Sequence, residues 1–230
     1  MKKVVVLTGA GISAESGIST FRDANGLWEG HDVMEVASPI GWERNQELVL
    51  DFYNKRRRQL HTVDPNAAHK ALKELEKKYE VHIITQNVDD LHERAGSKNV
   101  IHLHGELKKV RSTFDEDLVL DWEGDLVAGD FCEHNRQLRP HVVWFGEAVP
   151  MMEPAMEITM EADILIIIGT SMQVYPAAGL LHYAPSEIPV YFIDPKPSVS
   201  ETKHLKIFSE KASTGVPKLV KQLLQDQDKT

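Results

Sequence analysis

His104 closes the run Val100-Ile101-His102-Leu103-His104-Gly105, a short apolar strand with an imidazole at its tip and a glycine after it. A side chain that titrates near neutrality can take a proton from a hydroxyl, so this ring is a candidate general base. His102 shares the same face by the two-residue strand period, but only His104 adjoins the glycine; a purely structural histidine would also fit the pattern. A second polar group, Gln86-Asn87-Val88-Asp89, follows the apolar run Val81-His82-Ile83-Ile84-Thr85, at the strand-to-helix handover where open α/β sheets bind ligands. Helix capping by Asn87 or Asp89 accounts for one of these groups but hardly for all three. A third feature is Val4 to Ala14, a β-branched run breaking into Gly9-Ala10-Gly11, where missing side chains would let backbone approach a pyrophosphate at a helix start. An ordinary tight turn would look the same. Finally, Tyr53 and Arg56 lie one helical turn apart and could grip an anion with a hydroxyl and a guanidinium fork. Arg56 could instead pair with an internal carboxylate or extend to water.

These groups need a scaffold, and the chain supplies one. Its 230 residues, 42% hydrophobic and 27% charged, suffice for a full core, organised as one large domain with a smaller insertion. No apolar run is long enough to cross a bilayer, and Met1-Lys2-Lys3 leads directly into a strand, so a cytoplasmic protein is expected. A net charge of −9 disfavours nucleic acid and anionic membrane as partners, and the single Cys132 excludes an intrachain disulfide or an all-cysteine zinc site. Strands are expected at 4–8, 81–85, 100–104, 141–145, 163–168 and 190–193, and helices at 39–60, 67–78, 153–161, 176–183 and 216–224. On the 39–60 helix, Val49, Tyr53, Arg56 and Leu60 share one stripe, with Arg57 and Arg58 on other faces. Residues 20–30 read as a functional loop, 106–139 as an irregular surface insertion with solvated acids, and 225–230 as a disordered tail. Alternating strands and helices imply an α/β fold with a doubly wound, mainly parallel, Rossmann-like sheet. The large part comprises about 1–24, 64–106 and 140–230, and the small part 25–63 and 107–139.

In order along nearly the whole chain, several motifs together resemble the sirtuins, NAD-dependent protein-lysine deacylases. They are Gly9-Ala10-Gly11-Ile12-Ser13, Ser16-Gly17-Ile18, Phe21-Arg22, Gln86-Asn87-Val88-Asp89, His102-Leu103-His104-Gly105, Arg139-Pro140-His141-Val142-Val143-Trp144-Phe145-Gly146-Glu147 and Gly169-Thr170-Ser171. The Tyr53-x-x-Arg56 pair resembles the subgroup that removes negatively charged acyl groups. The resemblance implies NAD as co-substrate, with nicotinamide leaving and the acyl group ending on ADP-ribose. It implies His104 as general base, Asn87 positioning the ribose and a water, and Asp89 bonding the nicotinamide carboxamide. Phe21 and Arg22 would cover that ring. Gly9, Ala10, Gly11, Ser13, Glu15, Gln86, Gly169, Thr170, Ser171, Asp194, Pro195, Lys196 and Ala212 would complete the dinucleotide site. Val143, Trp144, Phe145, Gly146 and Glu147 would take the substrate peptide as an added strand. Tyr53 and Arg56 would bind the distal carboxylate of succinyl- or malonyl-lysine.

The departures from that pattern carry their own expectations. Where most sirtuins hold structural zinc with two Cys-x-x-Cys pairs, this chain has Ser112 and Asp115, then Cys132 and Asn135, so no zinc is expected. The competing possibility is a makeshift site from Asp115, Cys132 and His134. Without metal, apolar anchors such as Phe114, Leu118, Leu120, Trp122, Leu126 and Phe131 would hold the insertion. Asp194 stands where the family usually has asparagine. The expected partners are acylated lysines of proteins, the expected state a monomer. Mono-ADP-ribosyl transfer and non-catalytic NAD binding are the alternatives, and a dehydrogenase is disfavoured because no acid-tipped second strand follows the glycine turn.

Overall fold

The structure is a computed structural model that describes residues 1–18, 27, 28 and 30–227. Six parallel strands form the main sheet: β1 (Lys3–Thr8), β4 (Glu80–Thr85), β5 (Val100–His102), β9 (Ile164–Ile168), β10 (Val190–Ile193) and β11 (Leu205–Phe208), in the order β11-β10-β9-β1-β4-β5. A two-stranded pair, β2 (Leu27–Trp28) and β3 (His31–Asp32), lies apart from it. A second sheet of three antiparallel strands, β6 (Gly105–Ser112), β7 (Val119–Asp121) and β8 (Leu138–Val142), has β6 at its centre. The helices are α1 (Ala10–Ser13), α2 (Val33–Val36), α3 (Pro39–Arg44), α4 (Gln46–Leu60), α5 (Ala67–Leu75), α6 (Leu91–Arg94), α7 (Met152–Met160) and α8 (Ala212–Gln227).

Apolar runs such as Ile164–Ile168 form strands because helices cover both their faces. One face of the main sheet, with Val4, Val6 and Ile166, packs under α5 and α8; the other, with Val5, Leu7 and Leu165, packs under α7 and the 3-10 helix at Ala177–Tyr183. β1 has β4 on one side and β9 on the other, so strand order reverses beside it. A crevice opens beyond the carboxyl ends at such a switch point. Gly9, Gln86 and Gly169 follow directly on those three strands.

Several sequence expectations need correction. The helix expected over 39–60 is two helices, because Asn45 breaks the run and caps α4 by accepting the Leu48 N–H at 3.1 Å. Residues 143–147 are not a strand: after β8 the chain leaves the sheet in a turn. α8 starts at Ala212 and runs through Gln227, so 225–227 are helical rather than a tail. The 106–139 segment is more regular than expected, since it contains most of the three-stranded sheet. Of its expected anchors, Leu118, Trp122 and Leu126 pack against Leu50, Val110, Cys132 and Leu138, whereas Phe114, Leu120 and Phe131 are exposed. Polar groups share the work. Ser112 Oγ accepts the N–H groups of Phe114 and Asp115 at 3.1 and 3.2 Å and lies 3.3 Å from Cys132 Sγ. Arg57 is the buried arginine of α4, donating to the Leu107 and Gly124 carbonyls and to Asn54, and so ties the helix to this sheet.

Candidate active site

A single cavity of about 770 Å³ occupies the crevice. Its wall is built at one end from the turns after β1, β4 and β9, and at the other from α4 and the segment after β8. The first turn approaches the third so closely that a Cβ on Gly11 would stand 2.6 Å from Gly169 Cα, and one on Gly9 2.8 Å from Thr170 Cβ. Gly11 N–H donates to the Gly169 carbonyl at 2.8 Å. In this structure the glycines are therefore required by turn-on-turn packing, a reason different from the access to a pyrophosphate read from the sequence.

The polar cluster after β4 is internally bonded. Asn87 Nδ2 donates to the Gly9 carbonyl at 3.2 Å and to Ser13 Oγ at 3.1 Å, and Ser13 Oγ donates onward to Asp89 Oδ2 at 2.9 Å. Asp89 Oδ1 accepts the N–H of Leu91, the first residue of α6, at 3.2 Å, while the N-cap position itself is Asp90. Burial raises the Asp89 pKa above the usual carboxylate range, against the opposing pull of those donors. Gln86 Nε2 donates to Thr170 Oγ1 at 3.1 Å and links two walls of the crevice.

The two strand-end histidines separate by their partners. His104 Nδ1 lies 3.0 Å from the Gln86 carbonyl, which can only accept, so Nδ1 carries the proton and the neutral ring keeps a free base at Nε2. Burial lowers its pKa below the ordinary value, with the Gln86 bond opposing, so the base form prevails at neutral pH. His102 instead meets acceptors on both sides, the Asn87 carbonyl at 3.0 Å and Glu93 Oε1 at 2.8 Å. Burial disfavours its charge, but Glu93 outweighs that and raises the pKa; a ring with both nitrogens donating is not a base. Gly105 has φ +79° and faces the His141 carbonyl, which a Cβ would approach to 2.1 Å, so this glycine lets β6 pair with β8 immediately after His104.

At the far end, Arg56 lines the cavity, its guanidinium carbon 3.4 Å from the Phe52 ring centre and its Nη1 donating to the Phe52 carbonyl at 2.6 Å. Tyr53 does not line the cavity. It is 0% exposed, and its hydroxyl accepts the Trp144 indole N–H at 3.0 Å. Val143 to Glu147 all line the wall. The N–H groups of Val143, Trp144, Phe145 and Glu147 are committed within the chain, to the His104 carbonyl, Glu147 Oε2, and the Ala37 and Trp144 carbonyls. An added strand would have to pair through the segment's remaining backbone groups. Glu147 itself is held by Arg139 at 2.6 and 3.2 Å and by Arg111 at 3.1 Å, which fixes the turn.

Of the residues expected to hold the dinucleotide, Gly9, Ala10, Gly11, Ser13, Glu15, Gln86, Asn87, Asp89, Gly169, Thr170, Ser171, Asp194, Pro195, Lys196 and Ala212 all line the cavity. Glu15 is engaged there, accepting Ser213 N–H and Oγ at 2.9 and 2.7 Å at the start of α8, and Asp194 Oδ1 accepts the Lys196 N–H at 2.8 Å. Phe21 and Arg22 lie outside the described residues. Sequence reasoning missed Trp28, Gln59, Leu107, Val174, Tyr175 and Lys211, which also line it; only their three-dimensional neighbourhood marks them.

The Sir2 family model matches residues 9–176, with Asp194, Pro195, Lys196 and Ala212 beyond its end. The chain belongs to the Sir2 family. An NAD-dependent protein deacylase of Helicobacter pylori is 58% identical over 226 residues, covering 98% of this chain and 99% of that protein. One of Bacteroides thetaiotaomicron is 54% identical over 232 residues, covering 97% and 98%. A crystal structure of a Sir2 homolog–NAD complex superposes with a TM-score of 0.87 at 39% identity, covering 98% of this chain and 90% of the other. As in the family, an α/β main domain with a parallel Rossmann-like sheet carries a small antiparallel sheet.

Proposed function

We propose that this Sir2-family NAD-dependent protein deacylase removes succinyl and malonyl as well as acetyl groups from protein lysines, yielding free lysine, nicotinamide and O-acyl-ADP-ribose. One observation carries the reading: the neutral base His104 and the cationic Arg56 line the same cavity. The residues present fit a dinucleotide. The crevice lies at the switch point of a parallel sheet, and the buried Asn87, Asp89 and Thr170 are among its polar lining. NAD supplies an electrophilic ribose carbon with nicotinamide as its leaving group. The chain supplies proton handling and placement. His104 Nε2 accepts a proton from a ribose hydroxyl, its tautomer fixed by the Gln86 carbonyl. Asn87, held by Gly9 and Ser13, orients the ribose and a water; Asp89, kept in place by Ser13 and Leu91, bonds the carboxamide. Gln86 and Thr170 cross-brace the diphosphate side.

Arg56 gives the acyl end its charge preference, since a guanidinium in a partly enclosed site binds a carboxylate by charge-assisted bonds that acetyl cannot make. The small sheet works without structural zinc in this reading. Ser112 and Cys132, at two of the four expected ligand positions, bond to one another, and among the described residues no group of three or more His, Cys, Asp or Glu could hold a metal. The protein acts as a cytoplasmic monomer on acyl-lysines, without nucleic acid or membrane as partner.

Incubation with NAD and matched acetyl-, succinyl- and malonyl-lysine peptides, followed by weighing of the products, tests this. O-acyl-ADP-ribose with deacylated, free-lysine peptide is the expected result for all three. Mass added to protein would mean ADP-ribosyl transfer, unchanged NAD a binding module, and turnover of acetyl alone would remove the acidic-acyl assignment.

A further inference from the structure

Next to the first glycine turn lie polar side chains that take no part in the cavity wall. Thr8, at the end of β1, His69, in α5, and His92, in α6, are each 0% exposed. The two imidazoles meet with ring centres 4.9 Å apart, and His92 Nε2 lies 3.1 Å from Thr8 Oγ1. His69 Nδ1 accepts the Asn66 N–H at 3.3 Å, and Asn66 Nδ2 donates to the Ile12 carbonyl at 2.7 Å and to Ser16 Oγ at 3.0 Å. Contacts running from Thr8 through His92, His69 and Asn66 therefore close around α1, from the residue before Gly9 to the residues after Gly11.

Proton placement makes this a defined arrangement. A backbone N–H can only donate, so the neutral His69 ring keeps its proton on Nε2. That nitrogen and His92 Nδ1 are buried without a hydrogen-bond partner. When His92 Nε2 donates to Thr8, its Nδ1 is a bare acceptor on a ring touching that orphaned donor. The other tautomer would put two orphaned N–H groups on touching rings, which costs more. Burial keeps both rings neutral: it pushes His69 down to about 4 against the pull of Glu93, and His92 well below its ordinary range, where His69 and His102 add to the effect. Within the braced helix, Ser13 is the residue that bonds Asn87 and Asp89.

We infer that His69 and His92 are positioning residues for the reaction: joined to each other, to Thr8 and to Asn66, they brace α1 at both ends and so set Ser13, and through it Asn87 and Asp89, for NAD. The inference rests on the reading above that Asn87 and Asp89 meet the dinucleotide, and adds to it residues that touch no part of the cavity.

The test measures kcat, KM for NAD, KM for an acyl-lysine peptide that wild type turns over, and melting temperature. The variants are Thr8→Val, His92→Leu, the T8V/H92L pair, His92→Gln and Asp89→Asn. KM for NAD is expected to rise on the order of tenfold in T8V and in H92L, with KM for the peptide unchanged. The double variant should rise no further than H92L, because coupled groups do not add, and H92Q, whose amide can still donate to Thr8, should recover most of the loss. A lowered melting temperature with KM for NAD equal to wild type in T8V and H92L would make the pair merely structural and overturn the inference; so would an additive double variant. D89N separates the two claims: if it leaves KM for NAD unchanged, the reading of Asp89 itself fails. If D89N raises that KM while T8V and H92L do not, only the inference fails. Should H92L not fold, T8V and H92Q decide, together with the imidazole nitrogen resonances of wild type. Those should place the proton on Nε2 in both rings; a proton on His69 Nδ1 overturns the brace.

Discussion

Replacing Arg56 by methionine removes a charge while keeping most of the aliphatic stem, so it isolates what the guanidinium contributes. The side chain is ordered before any ligand arrives, since it stacks 3.4 Å over Phe52 and donates to the Phe52 carbonyl one turn back. Little side-chain entropy is then lost on meeting a carboxylate. A charge-assisted hydrogen bond is worth about 1.5 to 3 kcal/mol, or on the order of tenfold to a hundredfold in rate or affinity. The pre-ordering favours the upper part of that range. Initial rates with saturating NAD over a peptide series would give kcat/KM for succinyl-, malonyl- and acetyl-lysine on one sequence. Succinyl and malonyl should lose on the order of a hundredfold and acetyl only a small fraction of that. An equal loss on all three would mean that Arg56 supports the fold of α4 rather than reading the acyl group.

Three further outcomes follow from the geometry. The acid limb of kcat/KM should have an apparent pKa below the ordinary histidine value, because burial depresses His104 and the base form is lost only as pH falls through that lowered pKa; a limb at or above neutrality would assign the base elsewhere. Gly11→Ala should lower the melting temperature and weaken NAD binding together, since its methyl would meet the Gly169 backbone at 2.6 Å and overpacking costs about 1–3 kcal/mol; unchanged stability would show that the two turns can part. A chelator should leave the melting temperature unaltered, while Ser112→Ala should lower it by removing an acceptor for two backbone N–H groups; stoichiometric zinc in purified protein would contradict the metal-free reading.

The parts of this molecule written in local pattern were legible beforehand. The parallel strands announce themselves as apolar runs, and Gly9, Gln86 to Asp89 and His104 stand at strand ends, where a ligand crevice forms. What escaped depends on partners distant in sequence. β7 is three residues ending in an acid and is a strand only because β6 pairs with it, and β11 is a four-residue edge strand with one neighbour. Helical spacing placed Arg56 on the apolar stripe and sent Arg57 elsewhere, yet Arg57 is 1% exposed, because carbonyls of Leu107 and Gly124 await it. The ion pairs of Glu147 with Arg111 and Arg139 join residues 36 and 8 positions apart and have no local signature. Tyr53 was recognised as a hydroxyl near Arg56, but its commitment to Trp144 is a tertiary fact with no trace in either neighbourhood.

In the proposed function one cavity joins a proton-accepting imidazole to an anion-reading guanidinium. A crystal structure with NAD and a succinyl-lysine peptide bound measures this most directly. The expected result is a ribose hydroxyl within hydrogen-bond distance of His104 Nε2 and the succinyl carboxylate on Arg56, in the same cavity. A nucleotide lodged away from His104, or a carboxylate turned to solvent with Arg56 unengaged, would contradict it.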